Sequence, residues 1–388
     1  MLSVPHPSKI YRYAHSRLRR LDVDIDAVRE VLESYGLEQT REAHNLPMGR
    51  RNRSVVVYTR AGKKVLKLYR PKWPLGSVLC EHSVLARLAQ LGIAASRLVP
   101  ARDGQTCVVR PSGIYSLFDF VEGKICSLTF MPATLRLKLM ALAGRTLAHI
   151  HRGLEGYVPQ GQHHLGFDFY TGSRRPDISW FEERVHELQD KSRHAPAGAA
   201  RDLAESLVRS SSQVMDELRR LEEMFSGACL PLVVIHGDYG LHNLIVHDSS
   251  RLTVVDLELA RPEWRLSDLV TALPRLWRSE QPDGIESVGA FVGAYETEYP
   301  IEPEEWRLLP HFWKYQNLRA SLRYWNSYFD VAPEVERLVK ARKALVRAGT
   351  GENVVEKLRN SRIPRDRLVQ LGCRAELAAD SPYSPHDR

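Results

Sequence analysis

One stretch of the sequence gathers side chains able to do chemistry. Val234-Ile235-His236-Gly237-Asp238-Tyr239-Gly240-Leu241-His242-Asn243 is followed by Val254-Val255-Asp256-Leu257-Glu258. An apolar run delivers His-Gly-Asp into a loop, Asn243 stands five positions after Asp238, and a second apolar run delivers Asp256 eighteen positions after Asp238. Phosphoryl transfer needs a carboxylate beside the attacking hydroxyl and oxygen ligands for Mg²⁺ on the triphosphate. One Asp plus an Asn/Asp pair on adjacent short strands is a set of that kind. Each fragment alone reads better as a tight turn or a cap. In order and at both spacings, together they favour the phosphoryl-transfer reading.

The Asp-to-Asn spacing is also that of the protein-kinase catalytic loop, which has a metal-binding Asp further along. This chain has His-Gly-Asp in place of His-Arg-Asp and Asp-Leu-Glu in place of Asp-Phe-Gly, and it lacks a downstream Ala-Pro-Glu. It resembles instead the aminoglycoside phosphotransferase and choline kinase family of small-molecule kinases, marked by His-Gly-Asp-x4-Asn and a following Asp at a strand end. The resemblance covers roughly residues 25–330, with specificity only in the loops. It implies Asp238 as catalytic base, Asn243 and Asp256 as Mg²⁺ ligands, and His236 as a packing residue that shapes the loop. Asp268, in Leu266-Ser267-Asp268-Leu269, matches the family's Asp-Leu-Ala element that braces that loop.

A kinase also needs a strand lysine at the α/β-phosphates and a helix glutamate to hold it. Lys67 lies in the apolar run Val65–Tyr69, where an unpaired ammonium would be costly. Glu81, fourteen residues later, is the expected counter-charge; the alternatives are a solvent-facing Lys67 and a plain surface Glu81. Lys63 and Lys64 fall in the expected turn. No Gly-x-Gly-x-x-Gly or Walker-type loop is present. Leu46–Ser54, with Gly49 and three arginines, stands where a phosphate-covering loop belongs and reads equally as a basic surface turn. Phe118–Gly123 reads either as a hinge facing adenine or as an edge strand and turn.

The elements that must position these residues follow from periodicity. A helix is expected through Val28, Val31, Leu32 and Tyr35. The runs Ser54–Thr59 and Val65–Tyr69 form a hairpin signal around residues 60–64. A helix from Ser77 to Gly92 and strands at Cys107–Arg110 and Ile114–Val121 complete a strand-rich unit. Helices follow over 132–151 and 197–225, then short strands at Leu232–Ile235, Leu244–Val246 and Leu252–Val255, then helices to about residue 348. The fold expected is α+β and two-lobed, protein-kinase-like: a nucleotide-binding N-lobe over 1–122, a helical C-lobe over 123–348 carrying the catalytic and metal loops and the acceptor site, and a polar, partly mobile tail over 349–388.

Of the 388 residues, 43% are apolar and 26% charged, as in an ordinary globular chain. No window has the ~18 apolar residues of a membrane span, and Lys9, Arg12, Arg17, Arg19 and Arg20 without an apolar stretch behind them argue against a secretory signal. Five well-separated cysteines argue against a disulfide framework or a Cys-ligated zinc site, and for a reducing, cytoplasmic setting. His163-His164 has no third metal ligand at a telling spacing and reads as a solvent loop. The net charge of +8 arises in residues 1–75, with sixteen Lys/Arg against seven Asp/Glu, while the rest of the chain is close to neutral. A local surplus can attract any polyanion, including a nucleotide triphosphate, and nucleic acid is not the expected partner.

The expected activity is therefore ATP- and Mg²⁺-dependent phosphorylation of a hydroxylated small molecule. Eight acids and no Lys or Arg lie between Ser279 and Trp306, with Trp306 and Trp313 close by. On the resemblance this segment forms the acceptor wall, which would suit a cationic amino alcohol or aminoglycoside; a solvated acidic loop is the alternative. A catalytically silent kinase-fold protein and a basic nucleic-acid-binding protein are the rival classes. Oligomeric state is not legible.

Overall fold

A computed structural model describes residues 25–37, 42–46, 52–60, 62–126, 131–165, 167–168, 173–174, 177–248, 250–276 and 284–361. The first part is helix α1 (Ile25–Glu33) and an antiparallel sheet. Its strands are β1 (Glu42–Asn45), β2 (Arg53–Thr59), β3 (Gly62–Leu68), β4 (Leu98–Val99), β5 (Val108–Arg110) and β6 (Gly113–Asp119), in the order β1-β2-β3-β6-β4 with β5 also on β6. Val55, Val57, Leu66, Val108, Tyr115 and Leu117 bury one face against Val28, Val31, Leu32 and Tyr35 of the α1 region. Helix α2 (Leu75–Gln90) follows β3, entered through extended Pro74.

The β2–β3 hairpin is tighter than its sequence suggests. Thr59 pairs with Gly62, so Lys63 and Lys64 belong to the strand instead of the turn. Lys64 pairs with Asp119 at 2.6 Å and Lys63 with Glu122 at 2.7 Å. Both amines therefore tie β3 to the end of β6. Lys67 falls on the central strand of the sheet, opposite Ser54 on one side and Ser116 on the other.

The second part is mainly helical. It comprises α3 (Ala133–Gly153), α4 (Asp177–Arg193), α5 (Ala199–Ser226), α6 (Leu266–Leu276), α7 (Gly284–Glu298), α8 (Pro303–Asp330), α9 (Val335–Ala348) and α10 (Gly351–Ser361). Gly144 sets how closely α3 meets α7: a Cβ there would lie 2.0 Å from the Phe291 carbonyl oxygen. Phe225 of α5 stacks on Phe312 of α8 at 4.0 Å, and Trp264 packs edge-on to both. Helix α10 was expected as polar tail. Val354, Val355 and Leu358 instead bury themselves in the helical core.

Small strands are set into this helical part. β10 (Leu232–Ile235) pairs with β13 (Arg261–Trp264), and β11 (Leu244–Val246) pairs with both β12 (Leu252–Val254) and β7 (Lys124–Ile125). The two-residue strands β8 (Phe167–Asp168) and β9 (Ser173–Arg174) pair with each other. Two hydrogen bonds join Val254 to the segment after α2, from Ser96 N–H to the Val254 carbonyl and from Val254 N–H to the Ala94 carbonyl, both 3.0 Å. The chain is thus an α+β structure with a sheet-rich N-terminal part and a helical C-terminal part.

Candidate active site

Strand β10 ends at Ile235, and the chain must then turn sharply. Gly237 adopts φ +79°, and a Cβ there would lie 2.3 Å from the Leu259 carbonyl oxygen. Glycine is required on both counts. The turn is braced from below by Asp268 at the start of α6, which accepts from His236 N–H at 2.6 Å and Gly237 N–H at 2.8 Å. Asp268 also accepts from His151 Nε2 at 3.1 Å, and His151 Nδ1 accepts from the Tyr295 hydroxyl at 2.9 Å. Burial alone would raise the Asp268 carboxyl, but the bond from His151, the neighbouring His236 and the bond from the His236 N–H hold it below the ordinary aspartate value.

His236 is buried and ties two loops together. Its Nε2–H donates to the Val255 carbonyl at 3.2 Å, and its Nδ1 accepts from Asp238 N–H at 3.3 Å. Tyr239 pins the far side of the loop, donating to the Ala143 carbonyl at 2.7 Å. Asn243 closes it: its side-chain amide donates to the Asp238 carbonyl at 3.1 Å, and its own carbonyl accepts from Val255 N–H at 3.0 Å. With its amide nitrogen engaged, Asn243 has its side-chain oxygen available as a ligand. The Asp238 carboxylate is 28% exposed, with His242 Nε2 at 3.4 Å from it.

Three carboxylates surround the buried Lys67 ammonium. Glu81 Oε1 and Asp256 Oδ1 are each 3.1 Å away and Glu258 Oε2 is 3.7 Å away. Burial would discharge this lysine, but Glu81, Asp256 and Glu258 outweigh it and hold its pKa well above the ordinary value. Burial, with repulsion from Asp256 and Glu81, raises the Glu258 carboxyl against the pull of Lys67. Exposure separates the acids: Glu81 is 2% exposed and can only anchor, whereas Asp256 is 44% exposed and can take a ligand. Asp256 also adopts φ +63°, uncommon for a residue with a side chain.

Lys67 is therefore buried, not solvent-facing, and Glu81 is its partner. Sequence reasoning gave no role to Glu258 and placed Asn52 only within the Leu46–Ser54 loop. The Asn52 amide donates to Glu258, and its oxygen accepts from Arg70 N–H at 3.0 Å. Gly49, with Arg50 and Arg51, lies outside the described residues. After Asp119, Gly123 at φ +149° lies so close to the Val246 carbonyl that a Cβ would stand 2.8 Å from its oxygen.

Two expectations give way to packing. His163 is buried, stacked on His164 at 4.6 Å and set against Trp73, and burial first, then Arg261, pushes its pKa down to about 2. His163 alone turns inward, from a loop in which Gly161, Gln162 and His164 are exposed, and among the described residues no group of His, Cys, Asp and Glu is arranged to cage a metal. The acids expected at the acceptor wall are engaged elsewhere. Glu296 accepts from Trp306, Glu298 faces Arg145 and His149, Glu304 pairs with Arg307, and Glu305 holds the buried Arg265. Trp313 is buried and donates to the Arg347 carbonyl at 2.9 Å. Glu280, Asp283 and Trp277 fall outside the described residues.

Oxygen donors with few fixed partners suit Mg²⁺, which takes one or two carboxylates, keeps waters and binds phosphate oxygens in place of an all-protein cage. The Asn243 side-chain oxygen and the exposed Asp256 carboxylate are donors of that type, and the Lys67 ammonium already lies against Asp256.

Known proteins share this arrangement of elements. Amicoumacin kinase, solved in complex with AMP-PNP, Ca²⁺ and Ami, superposes with a TM-score of 0.62 at 14% identity, over 90% of this chain and 96% of its own. A microcompartment-associated aminopropanol kinase gives 0.58 at 19% identity, over 87% and 98%. The Plasmodium vivax ethanolamine kinase gives 0.58 at 15%, over 90% and 95%. At these identities the likeness is one of fold. A comparison with curated proteins finds no match. The model of the APH phosphotransferase enzyme family matches residues 42–309, spanning the sheet, both loops and the first turn of α8, and the chain belongs to that family: a small-molecule kinase.

Proposed function

We propose that the chain transfers the γ-phosphoryl group of ATP, with Mg²⁺, to a hydroxyl of a small molecule. The observation that carries the reading is that one pair of braced loops carries Asp238, Asn243 and Asp256, with Asp256 paired to Lys67 of the sheet. In this reading Lys67, held by Glu81, grips the α/β-phosphates, the loop around Gly49 covers them, and the region to residue 122 is the nucleotide half. Asn243 and Asp256 would hold Mg²⁺, which when bound neutralises charge on the phosphates. Asp238 orients the acceptor hydroxyl and takes its proton. The acceptor oxygen bonds to the γ-phosphorus, the bond from that phosphorus to the bridging oxygen breaks, and ADP leaves.

Within this reading an amine-bearing alcohol is the acceptor to test first. Its support is the naming of the aminopropanol and ethanolamine kinases that share the fold, since Glu296, Glu298, Glu304 and Glu305 are engaged by other side chains of the protein. A cytoplasmic setting fits the thiols: Cys80 and Cys126 are buried, with burial pushing them up to about 12 and about 11, and none of the four described cysteines is bridged. No described helix is long and apolar enough to cross a membrane.

The test is Mg²⁺-dependent ATP consumption against a panel of amino alcohols, aminoglycosides, sugars and hydroxy acids, with the phosphorylated product identified. Phosphorylation of a cationic alcohol above all others supports the full reading. A better neutral or acidic acceptor removes only the cationic class. Nucleotide binding without turnover on any acceptor favours a silent member of the family. Tight, steeply salt-dependent capture of nuclease-sensitive nucleic acid would favour the remaining rival.

A further inference from the structure

Behind the Lys67–Glu81 pair lies a chain of buried polar side chains to which the proposed reaction assigns nothing. Glu81 offers Oε1 to Lys67 at 3.1 Å, while its Oε2 accepts from the Tyr69 hydroxyl at 2.7 Å. The Tyr69 oxygen is 3.2 Å from His82 Nε2, which also lies 3.1 Å from the Ser116 hydroxyl. His82 Nδ1 stands 2.7 Å from the Thr106 hydroxyl. Tyr69, Glu81, His82 and Ser116 are all buried.

Chemistry fixes the first link of this chain. A carboxylate can only accept, so the one phenolic proton of Tyr69 goes to Glu81. The Tyr69 oxygen is then left to accept, which it does from His82 Nε2–H in the tautomer whose Nδ1 accepts from Thr106. Burial first, then the Lys67 charge, pushes the His82 pKa down to about 3, so the imidazole stays neutral and keeps this arrangement at physiological pH. Both carboxylate oxygens of Glu81 are buried, the side chain being 2% exposed. Without the phenol its second oxygen would be buried and unsatisfied, and the carboxylate would rotate or draw in water to recover a partner.

We infer that Tyr69 is a positioning residue for nucleotide binding, fixing the rotation of the Glu81 carboxylate so that Lys67 is held in one place. The inference rests on the reading of Lys67 as the phosphate-gripping lysine. Its physical core, that Tyr69 acts on Lys67 through Glu81, can be read without nucleotide.

Tyr69→Phe removes only the hydroxyl and keeps the ring, over which Lys67 Nζ sits at 4.9 Å from the centroid. Hydrogen bonds to charged groups are strong enough that its loss should weaken Mg²⁺–AMP-PNP binding by about tenfold in calorimetry. In a Glu81→Gln background the same substitution should add little, because its route to Lys67 is already broken; a merely structural tyrosine would cost as much in both backgrounds. The side-chain ¹⁵N resonance of Lys67 should show the same coupling without nucleotide, moving with Tyr69→Phe in the wild-type chain and not in the Glu81→Gln chain. Equal effects in both backgrounds, or wild-type affinity in Tyr69→Phe, overturn the inference. Coupling in the lysine resonance, with no nucleotide binding by the wild-type chain, upholds Tyr69 as the group that positions Lys67 and overturns the phosphate-gripping reading.

Discussion

Lys67 Nζ lies 3.1 Å from Asp256 Oδ1, although one residue is on the central strand of the N-terminal sheet and the other in a loop of the helical part. The contact bridges the two parts of the chain where a triphosphate and its metal would lie. If these two residues form the nucleotide grip, each substitution has its own signature. Lys67→Ala should weaken nucleotide binding with or without Mg²⁺. Asp256→Ala should abolish the Mg²⁺-dependent share alone, since Asn243 is a neutral and weaker ligand for a hard cation. Calorimetry with AMP-PNP, run with Mg²⁺ and with EDTA, separates them; unchanged Mg²⁺-nucleotide affinity in Asp256→Ala refutes the metal role.

Asp268 is fully buried and accepts two backbone N–H groups and one imidazole N–H. Asp268→Asn puts amide hydrogens where acceptors are needed and should cost about 2–4 kcal/mol of stability. The pH dependence has a definite sign. The folded pKa is depressed, so this stabilisation is fully present above the ordinary aspartate value, about 3.9, and is lost as pH falls through the lower folded value. Urea denaturation between pH 3 and 7 should show a steeper acid loss in the wild type than in Asp268→Asn. Parallel curves would deny the carboxylate its role.

Gly237→Ala combines a positive φ with a Cβ 2.3 Å from a backbone oxygen. Strain of about 1–3 kcal/mol, or a displaced loop, should follow. Because Asp238 is the next residue, turnover should fall more than melting temperature does. A Gly237→Ala enzyme with wild-type kcat would mean that the tight turn is not needed to aim Asp238.

Arg265 and Glu305 form an ion pair in which both side chains are 1% exposed, and Arg265 also donates to the Pro300 carbonyl at 2.6 Å. Glu305 further accepts from Glu302 N–H at 2.9 Å, capping α8. Glu305→Ala strands a buried guanidinium and should cost about 3–5 kcal/mol. Replacing both partners by apolar residues of similar volume should cost less than the single change. Chemical denaturation of the three variants checks this order, and the reverse order would contradict it.

The site's loops were legible because their spacing is local: Asp238, Asn243 and Asp256 are fixed by short strands that the apolar runs announce. Lys67 was legible because an ammonium in an apolar run demands a partner, and Glu81 was near enough in sequence to be named. What stayed hidden depends on distant pairings. Asn52 meets Glu258 across 206 positions, and no periodicity announces that. Strand β13, Arg261–Trp264, holds a proline and two charged residues and has no alternation, yet all four residues are buried. Helix α10 looked like tail because only three apolar residues, Val354, Val355 and Leu358, mark its inner face. The acidic run after Ser279 looked like a charged wall for the opposite reason: the partners of Glu298 and Glu305, Arg145 and Arg265, come from other helices and loops.

The most direct test of phosphoryl transfer by this site is the rate of γ-phosphoryl transfer to the best acceptor from the panel, in wild type and Asp238→Asn. Asparagine keeps the size and polarity of the side chain but cannot take the hydroxyl proton. The proposed role of Asp238 predicts a fall of about 10²–10⁴ in kcat, with Mg²⁺–AMP-PNP affinity little changed. Wild-type turnover in Asp238→Asn would contradict it.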